Sequence, residues 1–161
     1  VDDAVLDVDG RPFGLRGRID RVDVHRDTGR LAIFDYKTSD AANSPDDVHR
    51  QGRAKVWVDL QLPLYRHLAA RAGLIDSPNA EVALGYIALP KSIDDVGESM
   101  AKWSAAELAE ADETAREVIR AIRDGVFYPP VEPPPKYDDF AAICGSELRR
   151  DIAPDESEGE A

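Results

Sequence analysis

An unbroken apolar run at residues 82–89 (VALGYIAL) constrains the possible folds more than any other feature of the sequence. Asn79 precedes the run and Pro90 follows it, and both residues are typical of turns. A short apolar run between turn residues predicts a strand that is buried in a sheet. The chain is therefore expected to fold around a sheet whose interior contains this strand.

Three further strand-like segments occupy the first part of the chain: Ala4–Val8, residues 13–25 and residues 31–38. The turn residues Asp9-Gly10 separate the first two segments, and residues 27–29 (DTG) separate the second from the third. Strands joined by turns this tight pair with one another, so the sequence predicts an antiparallel meander.

A helix is predicted over residues 59–72, with Asp59 as its cap and Pro63 in its first turn, where the missing N–H costs little. Gly73 is a suitable end for this helix. Residues 47–57 are ambiguous, with a short helix as one interpretation.

A second helix is predicted to open at Ser104 with the capping box Ser104–Glu107 and to stop at Gly125. Apolar residues form one stripe along it, at Leu108, Ala111, Ala115, Val118, Ile119 and Ile122. The predicted order is three strands, a helix, a strand, a helix and a tail.

Composition excludes several classes of protein. The 161 residues suit one domain, and no apolar run is long enough to cross a membrane. The single cysteine, Cys144, excludes an internal disulfide. Because the sequence has 32 acidic residues and 20 basic ones, charge alone does not favour binding to nucleic acid. The start at Val1 and the lack of a secretory leader favour an excised piece of a longer cytoplasmic protein.

Polar residues gather where the third strand ends. Residues two apart on a strand share a face, so Asp35 and Lys37 are expected to point the same way. Asp20 precedes the hairpin and becomes their cross-strand neighbour if the register is suitable. Two carboxylates and one ammonium group would then meet at one end of the sheet.

Two neighbouring carboxylates repel each other and need a cation between them. Their hard oxygen atoms suit Mg²⁺ or Mn²⁺, with water and a substrate phosphate as further ligands. Lys37 could orient an attacking water or stabilise negative charge on phosphorus. The matching chemistry is hydrolysis of a phosphodiester, although Asp-x-Lys on a strand is common and Asp20 and Arg21 could simply pair across a hairpin.

Residues outside the strands extend this candidate site. Gln61 and Tyr65 are four apart and share one helical face, where the amide could bind a phosphate or base and the tyrosine could stack or donate. Arg18 and Arg21 flank Asp20 and could hold substrate phosphate or screen the acidic residues. A basic patch at residues 50–55 (Arg50, Arg53 and Lys55) is either a DNA-backbone contact or a solvated face. The three histidines, His25, His49 and His67, lack metal-ligand spacing.

Taken together, the segments GRIDRVD, IFDYKTS and QLPLY resemble the PD-(D/E)XK nuclease superfamily and, within it, the RecB/AddB-like nuclease domains. The resemblance implies an α/β fold with a restriction-endonuclease-like core, a mixed central β-sheet flanked by helices. It implies that Asp20, Asp35 and Lys37 are catalytic. The two carboxylates and the backbone carbonyl of Tyr36 would be the metal ligands, and Gln61, Tyr65 and Arg21 would bind substrate.

The sequence departs from this family pattern at both ends. Many relatives carry a metal-facing residue on a helix before the first strand, and this chain starts too late to show one. Several relatives bind an iron–sulfur cluster through three spaced cysteines near the end, where this chain has Pro135, Asp138 and Cys144. A cluster needs about four thiolates, so none is expected. The expected domain spans residues 1–145, followed by an acidic, disordered tail at residues 146–161.

The resemblance thus predicts a magnesium- or manganese-dependent DNA nuclease domain within a helicase–nuclease or recombination-repair protein. A helicase domain or partner subunit would deliver single-stranded DNA ends, and no membrane is involved. One alternative is a non-catalytic domain that keeps the nuclease fold for DNA binding or subunit assembly. Another is a metal-dependent hydrolase of a different phosphate ester, because the site chemistry alone does not specify DNA.

Overall fold

The apolar run forms a strand inside a sheet, as predicted. The computed structural model describes residues 4–39 and 43–126. Its strands are β1 (Ala4–Val8), β2 (Arg11–Leu15), β3 (Arg21–Val24), β4 (Leu31–Lys37), β5 (Arg50–Gln51), β6 (Val56–Trp57), β7 (Ala83–Ala88) and β8 (Gly97–Met100). Its α-helices are α1 (Pro45–His49), α2 (Gln61–Arg71) and α3 (Ala105–Arg123). All of these elements belong to one compact unit, Val1–Asp124; a second unit comprises Gly125–Ala161.

The central sheet has four strands in the order β3-β4-β7-β8. Its inner strands β4 and β7 run parallel, and each outer strand runs antiparallel to its neighbour, so the sheet is mixed. Two parallel neighbours need a long crossover connection, and α2 lies on it between β4 and β7. This is the predicted α/β class with a mixed central sheet flanked by helices.

Helix α2 covers one face of the central sheet. The shared core consists of buried residues from β4, β7 and α2, namely Ile33, Leu84, Tyr86, Leu62, Tyr65 and Ala69. Because α2 packs on the face that carries Ile33, any residue two or four positions further along β4 also faces this helix. No helix in the described part of the chain is long and apolar enough to cross a membrane.

The β1–β2 hairpin forms a separate two-stranded sheet. Asp9 and Gly10 both have positive φ, which is the conformation of the tight hairpin turn that Asp-Gly favours. Leu6 and Val8 point inward from β1 and pack against Ala115 and Ile119 of α3. The hairpin is therefore anchored to the helices rather than to the central sheet.

Residues 13–25 do not form one strand, and the predicted three-stranded meander is wrong. The chain leaves the strand conformation after Leu15 and resumes it at Arg21, so β2 pairs with β1 while β3 pairs with β4. In the intervening loop, Gly17 lies against α2: a Cβ there would be 2.7 Å from Leu68 Cδ1. The missing side chain allows this close approach, which takes the loop away from a strand path.

Smaller differences concern the ends of elements and weak strands. Strand β8 was not predicted, because GESM has little apolar character. Helix α2 begins at Gln61, with the Asp59 carboxylate accepting from its N–H at 2.8 Å. Residues 47–57 contain the end of α1 and the short β5–β6 hairpin. On α3 the capping box is confirmed, but Val118 and Ile122 of the apolar stripe are exposed.

Several expectations fall outside the described residues. These concern the end of the 1–145 domain, the tail at residues 146–161, and the segment containing Pro135, Asp138 and Cys144.

A buried ionic cluster joins α2 to α3. Asp112 Oδ1 accepts hydrogen bonds from Arg66 Nη2 at 2.7 Å and from His67 Nε2 at 2.9 Å. Arg66 also donates to the carbonyl oxygens of Pro63, Pro78 and Leu108. All three charged or titratable side chains are buried, and His67 has a carboxylate partner. This cluster fixes α3 against the helix that covers the sheet.

Replacing Asp112 by alanine is expected to destabilise the protein by about 3–5 kcal/mol, because the buried Arg66 would lose its counter-charge. Chemical unfolding measures the loss. Glu113→Ala is the matched control, since Glu113 is also ion-paired on α3 but half exposed, and this variant should lose much less stability. Equal losses in the two variants would contradict this role for Asp112.

The stabilisation by Asp112 should also depend on pH. Burial raises the pKa of this carboxyl, but the hydrogen bond from His67 and the charge of Arg66 outweigh burial and hold the pKa below its usual value. The contribution is therefore present above about pH 4 and is lost as pH falls through the folded-state pKa. The difference in unfolding free energy between wild type and Asp112→Ala should narrow in acid.

Candidate active site

Asp35 and Lys37 form an ion pair at the end of β4. Lys37 Nζ lies 2.8 Å from Asp35 Oδ2, and the Asp35 side chain is only 7% exposed whereas that of Lys37 is 33% exposed. Both residues share the strand face of Ile33, which packs against α2. The strand thus passes from the apolar core to a charged pair that opens to solvent at Lys37.

Asp20 is hydrogen bonded to the backbone of Tyr36, the residue between Asp35 and Lys37. Strand β3 begins at Arg21, which pairs with Phe34, so extending the register by one residue puts Asp20 opposite Asp35. Asp20 Oδ2 accepts the backbone N–H of Tyr36 at 3.1 Å. In an antiparallel pair, the N–H and the C=O of one residue both point towards the same neighbouring strand. The carbonyl of Tyr36 therefore faces the side where Asp20 lies.

Gln61 and Tyr65 join this cluster from the first turns of α2. The hydroxyl of Tyr65 donates to Asp35 Oδ1 at 3.1 Å, and Gln61 Nε2 donates to the same hydroxyl at 3.1 Å. Burial, followed by the charge of Asp35, raises the pKa of Tyr65 well above its usual range. The phenol therefore stays protonated and can act as a donor. Both carboxylate oxygens of Asp35 have donors, one from β4 and one from α2.

Tyr86 and His49 complete the surroundings of Lys37, and sequence reasoning missed both. Lys37 Nζ lies 4.6 Å from the centre of the Tyr86 ring, and the Tyr86 hydroxyl is hydrogen bonded to His49 Nε2. His49 Nδ1 lies 2.8 Å from the carbonyl oxygen of Asp59, which can only accept, so Nδ1 carries the proton. A tyrosine hydroxyl within a buried strand needs a polar partner, and that requirement was the available signal.

Arg21 does not join the cluster. Its Nε donates to Asp23 at 2.9 Å, and the pKa of Arg21 is raised by that hydrogen bond and by one to Tyr36. Arg21 is paired with Phe34 across the sheet, so its side chain lies on the face opposite Asp35.

The basic patch at residues 50–55 is largely neutralised within the fold. Arg50 pairs with Glu107 and lies 3.5 Å from Asp46, and Lys55 also pairs with Asp46. Arg50 also lies over the ring of Trp57. The acidic partners oppose a contact between this patch and a phosphate backbone.

Comparison with known proteins identifies the family of the chain. The family model of the PD-(D/E)XK nuclease superfamily matches residues 3–145. The chain belongs to the PD-(D/E)XK nuclease superfamily. Its mixed sheet with flanking helices is consistent with the restriction-endonuclease-like core of this superfamily. Neither the curated proteins nor the solved structures include a match to the chain.

Members of the PD-(D/E)XK superfamily generally use divalent metal ions, so the donor atoms at this site are relevant. No group of three or more His, Cys, Asp or Glu side chains that could hold a metal occurs in the described parts of the chain. Asp20 is opposite Asp35 in the extended register, and the Tyr36 carbonyl faces the side where Asp20 lies. Mg²⁺ is commonly bound through one or two carboxylates with water and substrate phosphate, so this hard oxygen set fits such an ion.

The two buried tyrosines predict a loss of stability at alkaline pH. Burial raises the pKa of Tyr65 and of Tyr86 above the usual value of about 10. Their contribution is complete below about pH 10 and is lost as pH rises through the folded-state values, because the unfolded chain releases these protons first. Urea unfolding over this pH range should show a shallower decline for Tyr65→Phe and Tyr86→Phe than for wild type.

Tyr36→Phe is the control for this measurement, because it removes a hydroxyl from a partly exposed ring outside the buried cluster. If the two buried-site variants and wild type lost stability with the same slope, the raised pKa values would be wrong.

Proposed function

We propose that this chain is a divalent-metal-dependent nuclease domain that hydrolyses phosphodiester bonds in DNA. The observation that carries the proposal is the Lys37–Asp35 ion pair of 2.8 Å, next to a second carboxylate that is bonded to Tyr36. Membership of the PD-(D/E)XK superfamily supports nuclease chemistry for this arrangement.

Asp20, Asp35 and the carbonyl oxygen of Tyr36 are the proposed ligands for Mg²⁺ or Mn²⁺. When bound, the ion supplies polarisation of a phosphoryl oxygen and a lowered pKa for a coordinated water. Asp35 is fixed by Lys37 and Tyr65, so its carboxylate has little freedom to turn. Asp20 lies on a loop and is exposed, so it can adjust to the ion.

Lys37 is the proposed catalytic cation. Its ammonium group is held between the Asp35 carboxylate and the Tyr86 ring, and it stays one-third exposed. From this position the ammonium group can orient an attacking water by donating a hydrogen bond to its oxygen. It can also stabilise negative charge that develops on the phosphoryl oxygens. Because these contacts are made before substrate arrives, little reorganisation is needed.

Of the three residues predicted to bind substrate, Gln61 is the proposed contact, Tyr65 is proposed to position Asp35, and Arg21 has the weakest support. Gln61 is exposed and has a second amide proton and a carbonyl available for a phosphate or base. Tyr65 is buried, and its hydroxyl serves Asp35, so it orients the carboxylate. Arg21 is paired with Asp23 and lies on the sheet face opposite Asp35, which makes it the weakest of the three.

The proposal extends to the context of the domain. The segments GRIDRVD, IFDYKTS and QLPLY favour the RecB/AddB-like branch, in which nuclease domains act on single-stranded ends beside a helicase. The net charge of −12 favours delivery of DNA by a helicase domain or partner subunit over capture by the whole surface. Non-cysteine residues at positions 135 and 138 favour a domain without an iron–sulfur cluster.

Lys37→Ala and Asp35→Ala should each lower DNA cleavage at least about 100-fold, because each removes a charge from the reacting centre. The measurement is cleavage of labelled single- and double-stranded DNA with Mg²⁺ or Mn²⁺. Glu81→Ala is the matched control, since Glu81 is a highly exposed carboxylate paired with Arg30, and it should cleave at the wild-type rate. Circular dichroism should show all variants folded.

Calorimetric titration with Mn²⁺ separates this proposal from its alternative. A nuclease should bind the ion, and Asp20→Ala should weaken the binding while Glu81→Ala should not. A wild-type protein that cuts no DNA and shows no binding sensitive to Asp20 would instead support the non-catalytic, nuclease-fold domain.

A further inference from the structure

A groove of about 890 Å³ lies between the loop at residues 16–20 and the C-terminal end of α2. Three arginines line it, Arg16 and Arg18 from the loop and Arg71 from the helix. Its apolar lining includes Ile19, Leu68 and Leu74. We call this surface the arginine groove.

The charge of the arginine groove is opposite to that of the chain. Acidic residues outnumber basic ones 32 to 20 in the sequence, yet the described residues that line the groove include three arginines and no Asp or Glu. A concave surface lined by one sign of charge concentrates ligands of the other sign, whatever the net charge. The groove is therefore suited to an anionic ligand.

The arginine groove shares lining residues with a second cavity that reaches the candidate active site. A smaller cavity of about 200 Å³ is also lined by Arg16, Arg18 and Leu68, and it reaches Gln61 and Tyr65. Tyr65 in turn donates to Asp35. A polymeric anion could thus lie in the groove and pass the carboxylates of the site.

The apolar lining distinguishes between forms of nucleic acid. In a duplex the base faces are stacked inside, and phosphates form the outer surface. In a single strand both phosphates and apolar base faces are accessible, so a groove with cationic and apolar walls matches it better. Leu74 is exposed at the groove, where contact with a base would remove apolar surface from water.

We propose that the arginine groove binds a single strand of nucleic acid beside the phosphodiester to be cleaved, with Arg18 on a phosphate and Leu74 against an unpaired base. The inference rests on the proposed function for the position of the cleaved bond. Arg16 and Arg71 also interact with other groups of the protein, so Arg18, which is exposed on the loop, is the residue to test.

The experiment measures binding without cleavage, by fluorescence anisotropy of a labelled oligodeoxythymidine with the full chain in EDTA over a series of salt concentrations. Arg18→Ala should weaken binding several-fold and reduce the slope of log K against log salt by about 0.7, the value for one phosphate contact on a single strand. Arg18→Lys should keep the slope. Arg30→Ala, which removes an exposed arginine paired with Glu81, is the matched control.

Two further comparisons test the apolar lining. Leu74→Ser should weaken binding without changing the salt slope, and a duplex of equal length should bind less tightly than the single strand. Wild-type affinity and slope in Arg18→Ala would overturn the inference, as would equal binding of duplex and single strand.

Cleavage is assayed separately, so the two proposals can fail independently. If wild type cleaves DNA while Arg18→Ala binds normally, only the groove assignment is wrong. If Arg18→Ala loses affinity and slope while wild type cleaves nothing with Mg²⁺ or Mn²⁺, the groove assignment stands as a binding site and the nuclease proposal fails.

Discussion

The buried carboxylate of Asp35 is the constraint on which the site depends. A charge this far from water is costly unless it is paired and hydrogen bonded. Its partners come from two elements, Lys37 on the same strand and Tyr65 on α2. The charge is therefore tolerated only when β4 and α2 are docked in one register. The same packing that buries Ile33 and Leu62 in the core also aligns the polar groups at the end of the strand.

A second set of contacts, from residues distant in the sequence, positions Lys37. The Tyr86 ring lies next to the ammonium group, the Tyr86 hydroxyl is hydrogen bonded to His49, and His49 is hydrogen bonded in turn to Asp59. The hydrogen bond from His49 holds the pKa of Asp59 below its usual value, so this series of hydrogen bonds ends at a carboxylate that stays ionised. The Asp59 carboxylate also accepts a hydrogen bond from the backbone N–H of Gln61, the first residue of α2.

Strand periodicity was sufficient to place Asp35 and Lys37 together, and helical periodicity did the same for Gln61 and Tyr65. Both rules concern neighbours within one element, where geometry is fixed by the backbone. The loop at residues 16–20 could not be foreseen, because its path depends on contact between Gly17 and Leu68, which lie on different elements. Tyr86 lies within the apolar run VALGYIAL, so the sequence predicted that it is buried in the core. The sequence did not indicate that its hydroxyl is hydrogen bonded to His49.

Since β3 begins only at Arg21, a side chain and not a backbone carbonyl accepts the hydrogen bond from the Tyr36 amide. Asp20 can therefore swing away by surrendering one hydrogen bond, a change on the order of 1 kcal/mol, while the ladder between β3 and β4 stays intact. The late start of the strand in this way uncouples the movement of the Asp20 side chain from the integrity of the sheet.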